Sequence, residues 1–308
     1  MTKQYCIYSN EYIDKKLLSK EHIIPKNLGG HLDLSILVAK KLNSTLGPKI
    51  DALFTEDSFV KLHSKDFNFK GHSKKITPTF KNSVIQETNE RVDISIINNK
   101  MIFSKRWKKN SPAWEKTLEE CKAKSFTCNF DINIDIYERF FAKLFLGIGY
   151  YLYGQTFVDY GYHNDLREIM NSEDIEVRHD KQFKARILSE FENPDPFIHI
   201  VTSDFNAFKN YHVIWATYYA NAVVLGVSLF GNKFLSATCM ISDNPLVFSN
   251  SNSKGDVLLK ELSPDSKRRL ITTTQEDVIV KFTKSFLPDF NIEELLKEKR
   301  KLGVSDFA

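Results

Sequence analysis

Apolar positions along this chain of 308 residues repeat with two different periods, and the change from one to the other marks its organisation. Residues 22–25 (HIIP) read as a short strand stopped by proline, and residues 35–39 (SILVA) as a second strand, with Gly29-Gly30 turning the chain between them. From Lys40 to about Phe54 the spacing becomes helical: Leu42, Leu46, Ile50 and Leu53 form one stripe, interrupted at Gly47-Pro48. Residues 6–9 (CIYS) fit a short strand or the knuckle of a loop. Alternation returns at residues 84–86 and 92–97, where Asn98-Asn99 predicts a turn into residues 101–103. Residues 135–155 carry the clearest helical pattern, rich in Phe and Tyr, and residues 163–170 predict a further helix. Apolar segments at 196–201, 212–219, 222–229 and 234–241, with a turn signal at Gly231-Asn232, predict an antiparallel sheet, and residues 291–301 a charged amphipathic helix. The class is α+β: a small N-terminal strand–strand–helix module over residues 1–55, then a larger mixed α+β region over residues 56–308.

Composition adds three constraints. Hydrophobic residues make up 42% of the chain, with 24 Phe and 12 Tyr, enough for a packed core. The net charge is only +4, but it is unevenly placed: residues 61–110, which contain the predicted hairpin, hold twelve Lys or Arg against four acids. A positive surface of this kind attracts phosphate backbones, and equally it can be a plain solvated face. The four cysteines, Cys6, Cys121, Cys128 and Cys239, form no C-x-x-C pair and no disulfide framework. No apolar leader opens the chain, and the most apolar stretch, near 140–153, contains Lys143 and is short for a membrane span. A cytoplasmic setting without a membrane partner is the expectation.

The chemistry concentrates at residues 19–43. Hydrolysis of a phosphodiester needs a base to deprotonate water and a cation to stabilise charge on the leaving oxygen. Histidine titrates near neutrality, and a carboxylate with an amide oxygen suits a hard divalent ion. Glu21, His22 and Asn43 supply that set. Glu21 and His22 are neighbours, and on a strand neighbours point to opposite faces, so a twisted or bulged strand end is needed for both to serve one centre.

These residues resemble the HNH endonuclease superfamily, built on a ββα-metal core. Members commonly read C-x-x-C, E/D-H-I-I-P, G-G, C-x-x-C-N and G-x-x-I-D. This chain has Cys6-x-x-Ser9, Glu21-His-Ile-Ile-Pro25, Gly29-Gly30, Ala39-x-x-Leu42-Asn43 and Gly47-x-x-Ile50-Asp51. The resemblance covers about the first 55 residues and implies His22 as general base, with Glu21 and Asn43 holding Mg²⁺, or Mn²⁺ in its place. It implies DNA as substrate, RNA as the alternative, and a setting such as bacterial restriction or anti-phage defence, with a homodimer or a defence-system partner as candidates. Many relatives carry a structural zinc on four cysteines. Here Ser9, Ala39 and Leu42 occupy three of those positions, and no structural zinc is expected. The middle asparagine of the H-N-H signature is also missing.

Other residues carry weaker signals. Lys40 and Lys41 at the helix start, and Lys105, Arg106, Lys108 and Lys109 around Trp107, are candidate nucleic-acid contacts. Asp51 reads as a structural or supporting acid, His31 as an exposed loop residue, and His163 and His212 as structural. The competing function is a catalytically inactive nucleic-acid- or partner-binding protein built on the same module.

Overall fold

The computed structural model describes residues 3–67, 69, 77–105, 114–121, 124–128, 132–173, 182–189, 208–219, 221–252, 254–262, 270–275, 277 and 278. The segments expected at 196–201 and 291–301 lie outside the described residues, as do Arg106, Trp107, Lys108 and Lys109.

The chain opens with an antiparallel ribbon of β1 (Lys3–Cys6) and β2 (Glu11–Asp14). A second antiparallel pair follows, β3 (Leu18–His22) and β4 (Ser35–Ala39), and helix α1 (Lys40–Leu46) starts directly after β4. The β4 boundaries are those read from the sequence. The first strand is not: it ends at His22 instead of spanning residues 22–25. Ile23 and Ile24 are buried in a compact loop, where the Pro25 carbonyl accepts from Leu28 N and Gly30 N at 2.9 and 3.0 Å. Proline has no N–H for a ladder, so here it opens a loop and does not close a strand.

Gly47-Pro48 does not break the helix. It is absorbed as one π turn (Gly47–Asp51) leading into α2 (Ala52–Glu56). The wider turn shifts the apolar stripe by one position, because a π turn holds more residues than an α turn. Leu46, Ile50 and Phe54 are buried, and the expected Leu53 is 52% exposed. Residues 58–64, which lie outside the elements expected from the sequence, form α3 (Ser58–Ser64). Asp57 caps it by accepting from Phe59 N and Val60 N at 2.8 and 3.2 Å.

β5 (Thr79–Ile85) precedes the hairpin expected around Asn98-Asn99, which forms as β6 (Glu90–Ile97) and β7 (Lys100–Lys105) and is flanked in the same sheet by β5 and by β8 (Trp114–Thr117). After α4 (Leu118–Cys121) comes β9 (Phe126–Thr127), giving the sheet order β8-β7-β6-β5-β9. Asn98 and Asn99 turn β6 into β7 with φ of 50° and 59°, the left-handed pair that a two-residue hairpin needs.

The central helix α5 (Ile134–Tyr153) begins at Asn133, whose side chain accepts from Ile136 N at 3.2 Å. It continues into α6 (Gln155–Tyr160) and α7 (His163–Asn171). The rest of the described chain is an antiparallel sheet of β10 (Ile187–Ser189), β11 (Tyr211–Tyr219), β12 (Ala222–Ser228) and β13 (Ser236–Ser242), then α8 (Pro245–Ser251), β14 (Val257–Glu261) and β15 (Leu270–Thr273). Its strand order is β10-β13-β12-β11-β14-β15. One continuous core joins Tyr5 to Phe54, the buried residues of α5 and the inner face of this sheet. The helix is thus wedged against both the N-terminal hairpin and the sheet. No helix among the described residues is long and apolar enough to cross a membrane.

Candidate active site

The hairpin is regular. Leu18 pairs with Ala39, Glu21 with Ile36 and His22 with Ser35, and no bulge interrupts the register. Strand alternation therefore puts Ser19, Glu21 and the following Ile23 on one face, and Lys20 and His22 on the other. The first face meets α5. A Cβ added at Gly147 would lie 3.1 Å from Ile23, so the helix backbone seats directly on that residue. One turn earlier, Lys143 Nζ lies 2.5 Å from Glu21 Oε1 and 2.6 Å from Asp51 Oδ2.

This buried triad is what the sequence reading did not assemble. Lys143 is 1% exposed and Glu21 8%. Burial pulls the Lys143 pKa down, but Asp51 and Glu21 more than offset it and the net direction is up, so the ammonium stays charged. Burial also raises the Asp51 carboxyl, with Lys143 opposing. Tyr8 is buried beside them. Its phenol is pushed well above the usual tyrosine value by burial, then by Glu21 and Asp51, and it remains protonated. The signal in the sequence was Lys143 itself, placed among Phe140, Phe141, Leu144 and Phe145. A charged residue inside an apolar helix face needs a carboxylate partner.

His22 is half-buried on the opposite face, at the last residue of β3. Its pKa is lowered by burial first, then by Lys26, His31 and Lys143. At neutral pH the imidazole is a free base. Asn43, in the first turn of α1, donates from Nδ2 to Ser19 Oγ at 3.1 Å and to the Lys20 carbonyl at 3.3 Å. It is thus fastened to β3 beside the face that carries Glu21.

The donor set for a divalent cation can be tested on these contacts. The Asn43 amide spends its N–H groups on β3 and keeps Oδ1 as an acceptor. Glu21 gives Oε1 to Lys143. Among the described residues, the buried side-chain oxygens without a hydrogen-bond partner are Tyr8 Oη, Ser9 Oγ and Asp51 Oδ1. Glu21 Oε2 is not in that set and keeps contact with solvent. That leaves one carboxylate oxygen and one amide oxygen as donors, a sparse set for a hard cation, and the Lys143 charge beside Glu21 opposes a second positive charge. No group of three or more His, Cys, Asp and Glu among the described residues is arranged to hold a metal.

Of the positions where the resemblance would put zinc ligands, Cys6, Ala39 and Leu42 are packed into or against the core, while the buried Ser9 hydroxyl has no hydrogen-bond partner among the described residues. Cys6 Sγ accepts from Ala39 N at 3.3 Å, Ala39 is buried, and Leu42 packs against the core. The loop after Cys6 is tied to α7, because Arg167 donates from Nε and Nη2 to the Ile7 carbonyl at 3.0 and 2.9 Å. His163 accepts from the same guanidinium at 2.8 Å. His212 is fully buried between Leu28 O, at 2.6 Å, and Phe230 N, at 3.2 Å. His31 pairs with Asp33 at 3.0 Å.

The candidate phosphate contacts divide. Lys40 Nζ donates to the Lys16 carbonyl at 2.8 Å, and Lys41 is exposed beside it. Lys105 ends β7 in the other sheet and pairs with Glu90 at 3.4 Å. Compared with known proteins, the chain matches no family model, no curated protein and no solved structure.

Proposed function

We infer that the chain is a phosphodiesterase acting on DNA, with His22 as the base that takes a proton from water. The observation that carries this reading is the state of His22. It ends a hairpin strand on the face turned away from the core, and its imidazole is kept neutral by burial and by nearby positive charge. A neutral imidazole near Lys26, with Lys20 two residues away on the same strand face, suits a site that must accept a proton next to a phosphate. The resemblance would give a divalent ion, Mg²⁺ or Mn²⁺, to Glu21 and Asn43, but the unbulged register turns Glu21 away from His22 and onto Lys143, so these residues do not fit one metal centre beside the base. The resemblance of residues 19–54 to HNH nucleases supports His22 as the base and 5′-phosphate, 3′-hydroxyl products.

One observation favours a second reading. Lys143 occupies Glu21 with a built-in positive charge, and a module so neutralised could grip nucleic acid without cutting it. Incubation of supercoiled plasmid with Mg²⁺ or Mn²⁺ separates the two, with a gel shift on the same proteins. Nicking by the wild type but not by His22→Ala supports hydrolysis. Plasmid left equally intact by both, with DNA binding retained, sinks the nuclease and leaves the binding protein.

A further inference from the structure

A cleft of about 420 Å³ opens beside the hairpin, lined among others by Lys20, Ser35, Leu37, Tyr150, Tyr151 and Lys254. Three distant segments meet there: the outer side of β3 and β4, the last turn of α5, and the loop before β14. Each is held in place. Tyr150 Oη donates to the Tyr5 carbonyl at 3.5 Å, and the two rings lie 6.0 Å apart. The Lys254 loop is organised by Asn252, which accepts from Lys254 N at 3.0 Å and donates to Gly255 O at 3.0 Å and Tyr218 Oη at 3.2 Å. Tyr218 in turn bonds Tyr153 Oη of α5 at 2.9 Å. Lys254 Nζ stands 4.0 Å from the centroid of the Tyr151 ring. Among the described residues neither Lys20 nor Lys254 has a carboxylate partner.

We propose that this cleft is a nucleotide subsite for a single strand of nucleic acid, with the base against Tyr150 and Tyr151 and the phosphate between Lys20 and Lys254. Aromatic rings beside two uncompensated ammonium groups are what an unpaired nucleotide needs, since every base has a face to stack and every phosphate a charge. The volume lies near the lower end of small-ligand sites and fits one nucleotide, whereas in a duplex the base faces are already stacked. The position gives the direction of the strand. Lys20 shares a face of β3 with His22 and precedes it by two residues, about 7 Å along the strand. Ser35, which lines the cleft, is the register partner of His22. A strand seated here passes its next phosphate to His22. The subsite deepens the phosphodiesterase reading and takes its direction from it, but its test needs no cleavage.

The test is fluorescence anisotropy of the full chain with a labelled 12-nucleotide DNA strand, without divalent metal, against an abasic strand of the same length and against duplex. The expected order is strand tighter than duplex and tighter than abasic strand. Tyr151→Ala should weaken binding of the strand roughly 5- to 150-fold, the loss of one base–aromatic stack, and bring it close to the abasic strand. Tyr151→Phe should keep wild-type affinity. Lys254→Ala should flatten the salt dependence of log affinity by about 0.7 per decade, the share of one phosphate on a single strand. Equal binding of normal and abasic strands, or wild-type affinity in both Tyr151→Ala and Lys254→Ala, overturns the subsite. So does wild-type binding that favours duplex or an acidic polypeptide. Plasmid left intact by wild type and His22→Ala alike counts against hydrolysis and leaves these binding comparisons standing.

Discussion

Lys143 and Glu21 are 122 residues apart in the chain and 2.5 Å apart in the fold. The contact is half of a double grip. Lys143 and Gly147, one turn apart on α5, meet Glu21 on β3 and Ile23 just past its end. His22 lies between the gripped residues and is therefore turned to the other side, so the central helix orients the candidate base through its neighbours.

Removing the cation should be costly. Lys143→Met leaves Glu21 and Asp51 as uncompensated buried carboxylates, and the expected loss is about 3–5 kcal/mol of unfolding free energy. Chemical denaturation measures it. The triple replacement with Glu21→Gln and Asp51→Asn should recover most of the loss, because no charge then remains buried. A single variant as stable as wild type would mean that the triad contributes little.

The pH dependence follows from His22. Its folded pKa is below the ordinary 6.5, so on acidification the unfolded chain takes up the proton first. The contribution to stability is full above that ordinary value and is lost as pH falls through it toward the folded pKa. An NMR titration of the imidazole should place its midpoint below 6.5. Lys26→Met should move the midpoint up by removing a nearby positive charge, and the acid limb of any hydrolytic activity should move with it. A midpoint that ignores Lys26 would take this lysine out of the site.

Arg167 should act as the fastener of the loop after Cys6. It places two N–H groups on the Ile7 carbonyl and donates to Asn164 Oδ1 at 2.7 Å. Arg167→Met should cost about 1.5–3 kcal/mol, the scale for hydrogen bonds from a charged donor. Thermal unfolding of the two proteins reads it directly.

Gly30 should tolerate no side chain. A Cβ there would lie 1.7 Å from the Ile24 carbonyl oxygen, a backbone atom that no rotamer change can move. Gly30→Ala should destabilise by about 3 kcal/mol or more and distort the loop that follows His22. Wild-type stability in this variant would show that the loop is free to open.

Much of the architecture was legible because it rests on local preference. Strand β4, helix α5 and the Asn98-Asn99 turn were readable from periodicity and from residues that accept a positive φ. The errors were local as well. Residues 23–25 looked like strand because two isoleucines precede a proline, yet their side chains serve the core of a loop. Leu53 looked buried because a π turn leaves no mark in an apolar spacing of four.

For the candidate site, the sequence by itself determined the inventory: an acid, a histidine and an asparagine on a hairpin and its following helix, with lysines around them. Only the tertiary structure decided how those groups are used. Strand alternation says that Glu21 and His22 face apart, but not which of them faces inward. The packing of α5 settles this, because a buried lysine is tolerable only where carboxylates meet it, and Glu21 and Asp51 are the carboxylates within reach. With Glu21 drawn in, His22 is left outward, beside Lys20 and next to the cleft that Tyr150, Tyr151 and Lys254 complete from segments more than a hundred residues away.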